Sequence, residues 1–299
     1  MKKYVKYAFM GLIFAMVFCC IKNFVAYRLP GKSSGMQAAI QEKNIDYLFL
    51  GSSLFRQGID INIALEETKG NCFILSYNGN QPVQMREELA MLLNHQVEIE
   101  NIYVDLYVYS AALRPAISDK RFIWDMDTRG KINVFSEMVE HSEAGTKEFV
   151  DFFISANNEY FLFYPIFQLV GRNEFYKGGN LRETPGRTRN VLDHLETPGD
   201  RERIHEAQKQ ALIDIIAMCK EQGIHLTFLE IPKYYTLEQA DYYQRLQGEL
   251  EQIIEGQEYI SASQVGFDNR NPENYQDLFH LSARGRREYT KQLLNVELR

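Results

Sequence analysis

Cysteine is scarce in this chain, four in 299 residues, and none of it is spaced for metal. Cys19 and Cys20 are adjacent in an apolar run, Cys72 falls in a predicted strand and Cys219 in a predicted helix. Without a CxxC pair or a Cys-His pattern a zinc-finger type of site is excluded, and a Cys72–Cys219 disulfide is left open without support. Also absent are the GxGxxG fingerprint of dinucleotide binding, the Gly-Lys-Ser/Thr of a P-loop and the HExxH of a zinc peptidase. His95, His141, His194, His205 and His225 show no other ligand spacing. No internal repeat is present either. What remains, 45% hydrophobic and 24% charged, is the composition of a folded protein with a sizeable core, here one large domain with insertions.

Acidic residues are missing from the first 32 positions, which carry six Lys/Arg. The other 267 residues hold 27 basic against 40 acidic side chains, a net charge of −13. A surface of that sign makes nucleic acid a poor partner, because its binding is carried by Lys and Arg on phosphates. Within the basic N-terminus, "YAFMGLIFAMVFCCI" (7–21) has no charge. With Lys22 snorkelling, the helix reaches Tyr27 and gives roughly the 20 residues a bilayer needs. Phe24 occupies the place where a small residue would precede a cleavage site, which favours an uncleaved anchor (1–30) over a removed signal peptide. Lys2, Lys3 and Lys6 keep the N-terminus cytoplasmic in this reading, so the expectation is a single-pass cell-membrane protein with its domain outside the cytoplasm.

A breaker-rich linker (31–44) then leads into alternating elements. Apolar runs at 45–51, 71–78, 101–110, 223–232 and 258–263 predict strands, and amphipathic segments at 81–96, 201–222, 236–255 and from Ser282 onward predict helices. That alternation predicts an α/β fold, a three-layer α/β/α domain (45–299) around a flavodoxin-like parallel sheet of about five strands. Residues 115–200 interrupt it with dense aromatics and a Gly/Arg/Pro-rich stretch, too long for a plain connection. They predict a helical insertion, either capping the site or packed against the outer face of the sheet or the membrane.

Two short stretches carry candidate chemistry. "DYLFLGSSLFRQGID" (46–60) ends the first strand in Gly51-Ser52-Ser53, where a serine hydroxyl and helix N-terminal N–H groups face the ligand crevice at the carboxyl edge of the sheet. A turn with an N-cap serine makes the same pattern. "YQDLFHLSARG" (275–285) places Asp277 three residues before His280, ahead of the last helix. A carboxylate so placed can orient an imidazole to take a serine proton. Arg56 follows the serines as either a solvated helix charge or a ligand for an anionic substrate.

In order and location these blocks resemble those of the SGNH/GDSL hydrolase superfamily, with "GSS" as the variant in which serine replaces aspartate in the first block. The resemblance spans about residues 45–295 without the insertion, and it extends to Gly285, five residues after the histidine. It implies Ser53 as nucleophile, His280 as base and Asp277 as its orienting carboxylate, with no metal or diffusible cofactor. "SYNGNQP" (76–82) matches the position of the family's oxyanion glycine, which implies Gly79 with the Ser53 N–H as donors. The family's Gly-x-Asn-Asp block is missing after the third strand, where only Asp105 and Ser110 stand, and Asn80 is the stand-in for its asparagine.

Membrane-anchored members of the "GSS" type include teichoic-acid D-alanylation proteins and envelope polysaccharide acetyltransferases. The resemblance therefore implies a serine esterase or acyltransferase acting on acyl esters of a cell-envelope polysaccharide or teichoic-acid-like polymer, supplied by an integral membrane partner. The alternative is a non-catalytic carbohydrate-binding or assembly module on the same fold.

Overall fold

The computed structural model describes residues 33–119, 121–141, 175–186 and 203–297, together with seven helical positions between 7 and 17. Most of the expected anchor (1–30), much of the insertion and His194 lie outside the described residues. Among the described residues, no helix is long and apolar enough to cross a membrane. Phe9 and Phe14 are 62% and 73% exposed, so this part of the basic N-terminus presents its large apolar side chains outward.

The expected linker is in part structured: α1 (Met36–Glu42) packs against the strand and helix that flank Tyr77. Met36 and Ala39 are fully buried, and the Met36 N–H donates to the Tyr77 hydroxyl at 3.1 Å. The chain continues through β1 (Asn44–Gly51), α2 (Ser53–Gly58), α3 (Ile61–Thr68), β2 (Cys72–Ser76), α4 (Pro82–Asn94) and β3 (Glu98–Asp105). Next come α5 (Val108–Ala112), α6 (Arg121–Asp125), α7 (Thr128–His141) and a small hairpin, β4 (Phe175–Tyr176) and β5 (Gly179–Asn180). The last elements are α8 (Glu206–Gln222), β6 (His225–Leu229), α9 (Tyr235–Glu238), α10 (Asp241–Ile253), β7 (Glu258–Ile260), α11 (Ala262–Val265), a 3-10 turn at Pro272–Asn274 and α12 (Ala283–Glu297).

Five strands pair in parallel in the order β2-β1-β3-β6-β7. The first strand lies between the second and the third, so the chain reverses its winding at β1/β3, and ligand crevices open at such a point. Leu48, Phe49 and Leu50 are all buried although their side chains alternate between faces, because helices cover both faces of the sheet. Helix α4 packs with α8 and α7, whereas α12 packs with α2 and α3. Phe49 stacks on Tyr103 at 4.9 Å between ring centroids, tying the two central strands.

One expectation shifts. The strand expected over 101–110 stops at Asp105, and the apolar "VYSAA" that follows is the short buried helix α5. A short apolar run has no period that separates a buried strand from a buried helix. Of the insertion, the described part holds α7, which packs on α4, and the hairpin, which lies along β2, where Ile74 N–H donates to the Lys177 carbonyl at 2.9 Å. Cys72 and Cys219 are both buried and free.

Candidate active site

Parallel register brings four strand ends to one edge: Gly51 opposes Ser76, Leu50 opposes Val104, and Asp105 opposes Leu229. Gly51 is required there because a Cβ would lie 2.5 Å from Asp105 Cβ and 2.9 Å from the Phe55 ring. The chain turns at Ser52, which is extended and caps α2, its Oγ accepting from the Leu54 N–H at 3.2 Å. The same hydroxyl donates to Asp105 Oδ2 at 2.5 Å, and the Ser52 N–H donates to that oxygen at 3.1 Å. Asp105 therefore clamps the turn from below. Burial pushes its pKa up, with the charge of Lys233 and the two Ser52 bonds acting against that rise. Lys233, itself fully buried after β6, donates to the Ile231 carbonyl and lies 5.2 Å from the centroid of the Tyr107 ring.

With Ser52 committed to the cap, Ser53 begins the helix with its side chain partly exposed. Its Oγ lies 2.9 Å from His280 Nε2. His280 Nδ1 lies 2.8 Å from Asp277 Oδ2 and 3.1 Å from Oδ1. With the ring proton on Nδ1 and donated to the carboxylate, Nε2 is left as an acceptor for the serine hydroxyl. Asp277 Oδ1 also accepts the Phe279 and His280 N–H groups, both at 2.8 Å. Burial raises the Asp277 pKa, but the bond to His280, its charge and those two N–H groups outweigh it and hold the carboxyl below the usual carboxylate range.

Tertiary bonds fix the loop that carries this pair. Its ends meet where Gln276 N–H donates to the His280 carbonyl at 2.8 Å and Ser282 N–H to the Asn274 carbonyl at 2.8 Å. Tyr234 N–H donates to Leu278 O at 3.1 Å, and the Tyr275 hydroxyl donates to Lys233 O at 3.0 Å. Gln57 Oε1, on the helix that begins with Ser53, accepts from Gln276 Nε2 and Asn180 Nδ2, both at 3.1 Å. One glutamine thus joins the helix that begins with Ser53, the histidine loop and the hairpin.

Helix α12 starts so close to the turn before this loop that a Cβ at Gly285 would collide with the Asn274 carbonyl. Gly285→Ala is expected to lower stability by about 1–3 kcal/mol through overpacking, read as a lower urea midpoint at unchanged slope. An unchanged midpoint would show that helix and turn can separate freely.

The expected oxyanion donors divide. Gly79, at φ 59°, is exposed beside Ser118, and a Cβ there would lie 2.9 Å from Ser118 Cβ and Oγ. Among the described residues, neither the Gly79 nor the Ser53 N–H has a protein acceptor, which leaves both donors for a ligand. Asn80 is different: it is fully buried, and its Nδ2 donates to Gly51 O at 3.1 Å and to Glu88 Oε2 at 3.0 Å. Both amide protons are used inside the protein, so Asn80 braces the strand ends and is not placed as the third donor. Ser110 donates to Tyr107 O at 2.8 Å and does not take that place either.

Arg56 is not a solvated helix charge. It is 8% exposed, its guanidinium donates to Asn78 Oδ1, and it lies 5.9 Å from the centroid of the Phe175 ring. Burial, and then the charge of Arg121, lower its pKa to about 10. Asp119, Arg121, Gln57 and Gln276 carry no motif in the sequence and are found only by contact.

No family model matches the chain, and no curated protein does. Among solved structures it is similar to a protein of Bacteroides fragilis, provisionally described as an acylhydrolase, at 11% identity and a TM-score of 0.39, with 86% of this chain and 89% of that one covered. A likeness so distant bears on neither fold nor activity.

Proposed function

We propose that the protein is a serine esterase or O-acyltransferase of the SGNH type, working through an acyl-serine. The observation that carries this is the relay from Ser53 Oγ to His280 Nε2 and from His280 Nδ1 to Asp277, at 2.9 and 2.8 Å. As the Ser53 oxygen bonds to an ester carbonyl carbon, its proton passes to His280 Nε2, and the imidazolium that forms is stabilised by Asp277. The carbonyl oxygen takes up the negative charge and accepts from the Ser53 and Gly79 N–H groups. Collapse breaks the bond to the leaving alcohol, which takes the proton from His280 and departs, leaving the acyl-serine. Water or a second hydroxyl then gives its proton to His280 and attacks the acyl carbon, and as the bond from that carbon to Ser53 Oγ breaks, His280 returns the proton to the serine oxygen.

On this reading the partially exposed relay admits a polymer hydroxyl as well as water, and the basic, apolar N-terminus holds the domain at the outer face of the cell membrane. A cell-envelope polysaccharide or teichoic-acid-like polymer is then the acceptor or substrate, with an integral membrane protein supplying acyl groups. A fluorophosphonate probe tests the chemistry: wild type is expected to label and Ser53→Ala to stay unlabelled. A folded wild type that never labels overturns the reading in favour of a binding module. A reporter active only outside the cytoplasm, fused at the C-terminus, is expected to be active; a silent but expressed fusion overturns the topology.

A further inference from the structure

Lys233 is a buried charge that the proposed chemistry does not use. It follows β6 in "EIPKYY" (230–235), a stretch with no motif, and is fully buried. Its ammonium donates to the Ile231 carbonyl and lies 5.2 Å from the centroid of the Tyr107 ring, two residues beyond Asp105. Burial lowers its pKa, and the charges of Asp105, Glu230 and Glu238 act against that fall. Two of these carboxylates have other donors on both oxygens. Glu230 accepts the Tyr243 hydroxyl at 3.0 Å on Oε1, and the Tyr259 hydroxyl and Ala262 N–H at 3.1 Å on Oε2. Glu238 accepts the Lys233 N–H at 2.7 Å on Oε1 and Asn269 Nδ2 at 2.6 Å on Oε2. Asp105 differs: Oδ2 takes both bonds from Ser52, and Oδ1 is buried with no hydrogen-bond partner among the described residues. The charge of Lys233 is therefore what offsets the burial of that second oxygen.

The backbone at the same position reaches the other half of the relay. The Lys233 carbonyl accepts the Tyr275 hydroxyl, and the next N–H, of Tyr234, donates to Leu278 O, the residue after Asp277. The Tyr234 and Tyr275 rings meet edge to face at 5.5 Å between centroids, which stiffens this junction. Lys233 thus faces the turn that carries Ser53 through Asp105, and holds the loop that carries His280 through its main chain. A buried ion pair is a weak source of stability, since an apolar side chain of similar volume serves as well, but it can fix register between elements.

We propose that Lys233 is a positioning residue of the relay: its ammonium, facing Asp105, keeps the Ser52-Ser53 turn and the Asp277–His280 loop at the separation that lets Ser53 Oγ meet His280 Nε2. Its effect on rate rests on the esterase reading; its effect on the Ser53–His280 contact does not.

Nitrogen-15 NMR of the histidine rings in the full-length protein in detergent reads that contact without turnover, with His280 assigned by its loss in His280→Gln. In Lys233→Met, which keeps length and removes charge, the His280 Nε2 resonance is expected to move from its wild-type position most of the way to that of Ser53→Ala. Circular dichroism shows that each variant is folded. In the kinetic arm, Lys233→Met is expected to lower kcat on an acetyl ester by about 10- to 100-fold with KM nearly unchanged, the loss that a small displacement of reacting groups causes. Because the lysine acts through Asp105, the same substitution made on Asp105→Asn is expected to cost about threefold or less. Should Lys233→Met not fold, Asp105→Asn decides by the same resonance and the same rate. A folded Lys233→Met with an unmoved His280 resonance, or with wild-type kcat and a lower urea midpoint alone, overturns the proposal. So does an equal loss of kcat with and without Asp105. A wild type that neither labels nor turns over ester, while the His280 resonance still depends on Lys233, removes the esterase reading and sustains the positioning role.

Discussion

Ser53→Ala is expected to lower kcat/KM on an acetyl ester by roughly 10⁵-fold or more, about 7 kcal/mol of transition-state stabilisation, and to leave the fold intact. The size follows from the unit it breaks, because without the Oγ neither His280 nor the oxyanion donors have an attacking atom to assist. The intact fold follows from the division between adjacent serines. Ser52 caps α2 and is gripped by Asp105, whereas the hydroxyl of Ser53 is bonded to His280. Ser52→Ala is therefore expected to behave in the opposite sense, costing about 0.5–2 kcal/mol for the cap and more for the lost bond to buried Asp105. Steady-state rates with urea unfolding on both variants check this. Equal activity in Ser53→Ala and wild type would remove Ser53 from the chemistry, whatever the distances.

Asp277→Asn is expected to lower kcat by about 10⁴-fold near neutral pH with little change in KM. An amide can offer its NH₂ to Nδ1, which reverses the tautomer and turns Nε2 into a donor toward Ser53, so the base is lost while the shape is kept. The same variant has a pH signature in stability. The Asp277 carboxyl is held below its usual range in the folded state, so its contribution is present above the unfolded carboxylate pKa of about 3.9 and is lost as pH falls through the lower folded value. Asp277→Asn is expected to lose less stability than wild type between pH 5 and pH 3, by urea unfolding at both. The side chain is 44% exposed, so the difference is small beside the kinetic one. Identical acid sensitivity in the two proteins would mean that the carboxylate gains nothing from His280.

Much of this molecule was legible before any coordinates. All five strands of the parallel sheet and the helices α4, α8, α10 and α12 follow from apolar runs and helical periods, because those patterns report burial directly. Ser53, Asp277 and His280 stood out by block order. The end of β3 was not legible, since "DLYVYSA" is apolar in either conformation, and neither was α1, whose "MQAAIQE" follows a run of turn residues. Asn80 was misassigned for a related reason: its chemistry allowed a donor role, and only the positions of Gly51 O and Glu88 show that its protons are taken.

By itself the sequence determined the alternation that makes a parallel sheet, the turn chemistry of Gly51-Ser52-Ser53, and the three-residue spacing that lets Asp277 face the ring of His280. These are local or periodic properties, set by steric freedom, capping and side-chain period within a few residues. Tertiary structure decided what lies 227 positions apart: that His280 Nε2 stands 2.9 Å from Ser53 Oγ. It also decided which serine is held, because Ser52 and Ser53 are chemically identical until Asp105, from a neighbouring strand, takes the hydroxyl of one and leaves the other beside the imidazole.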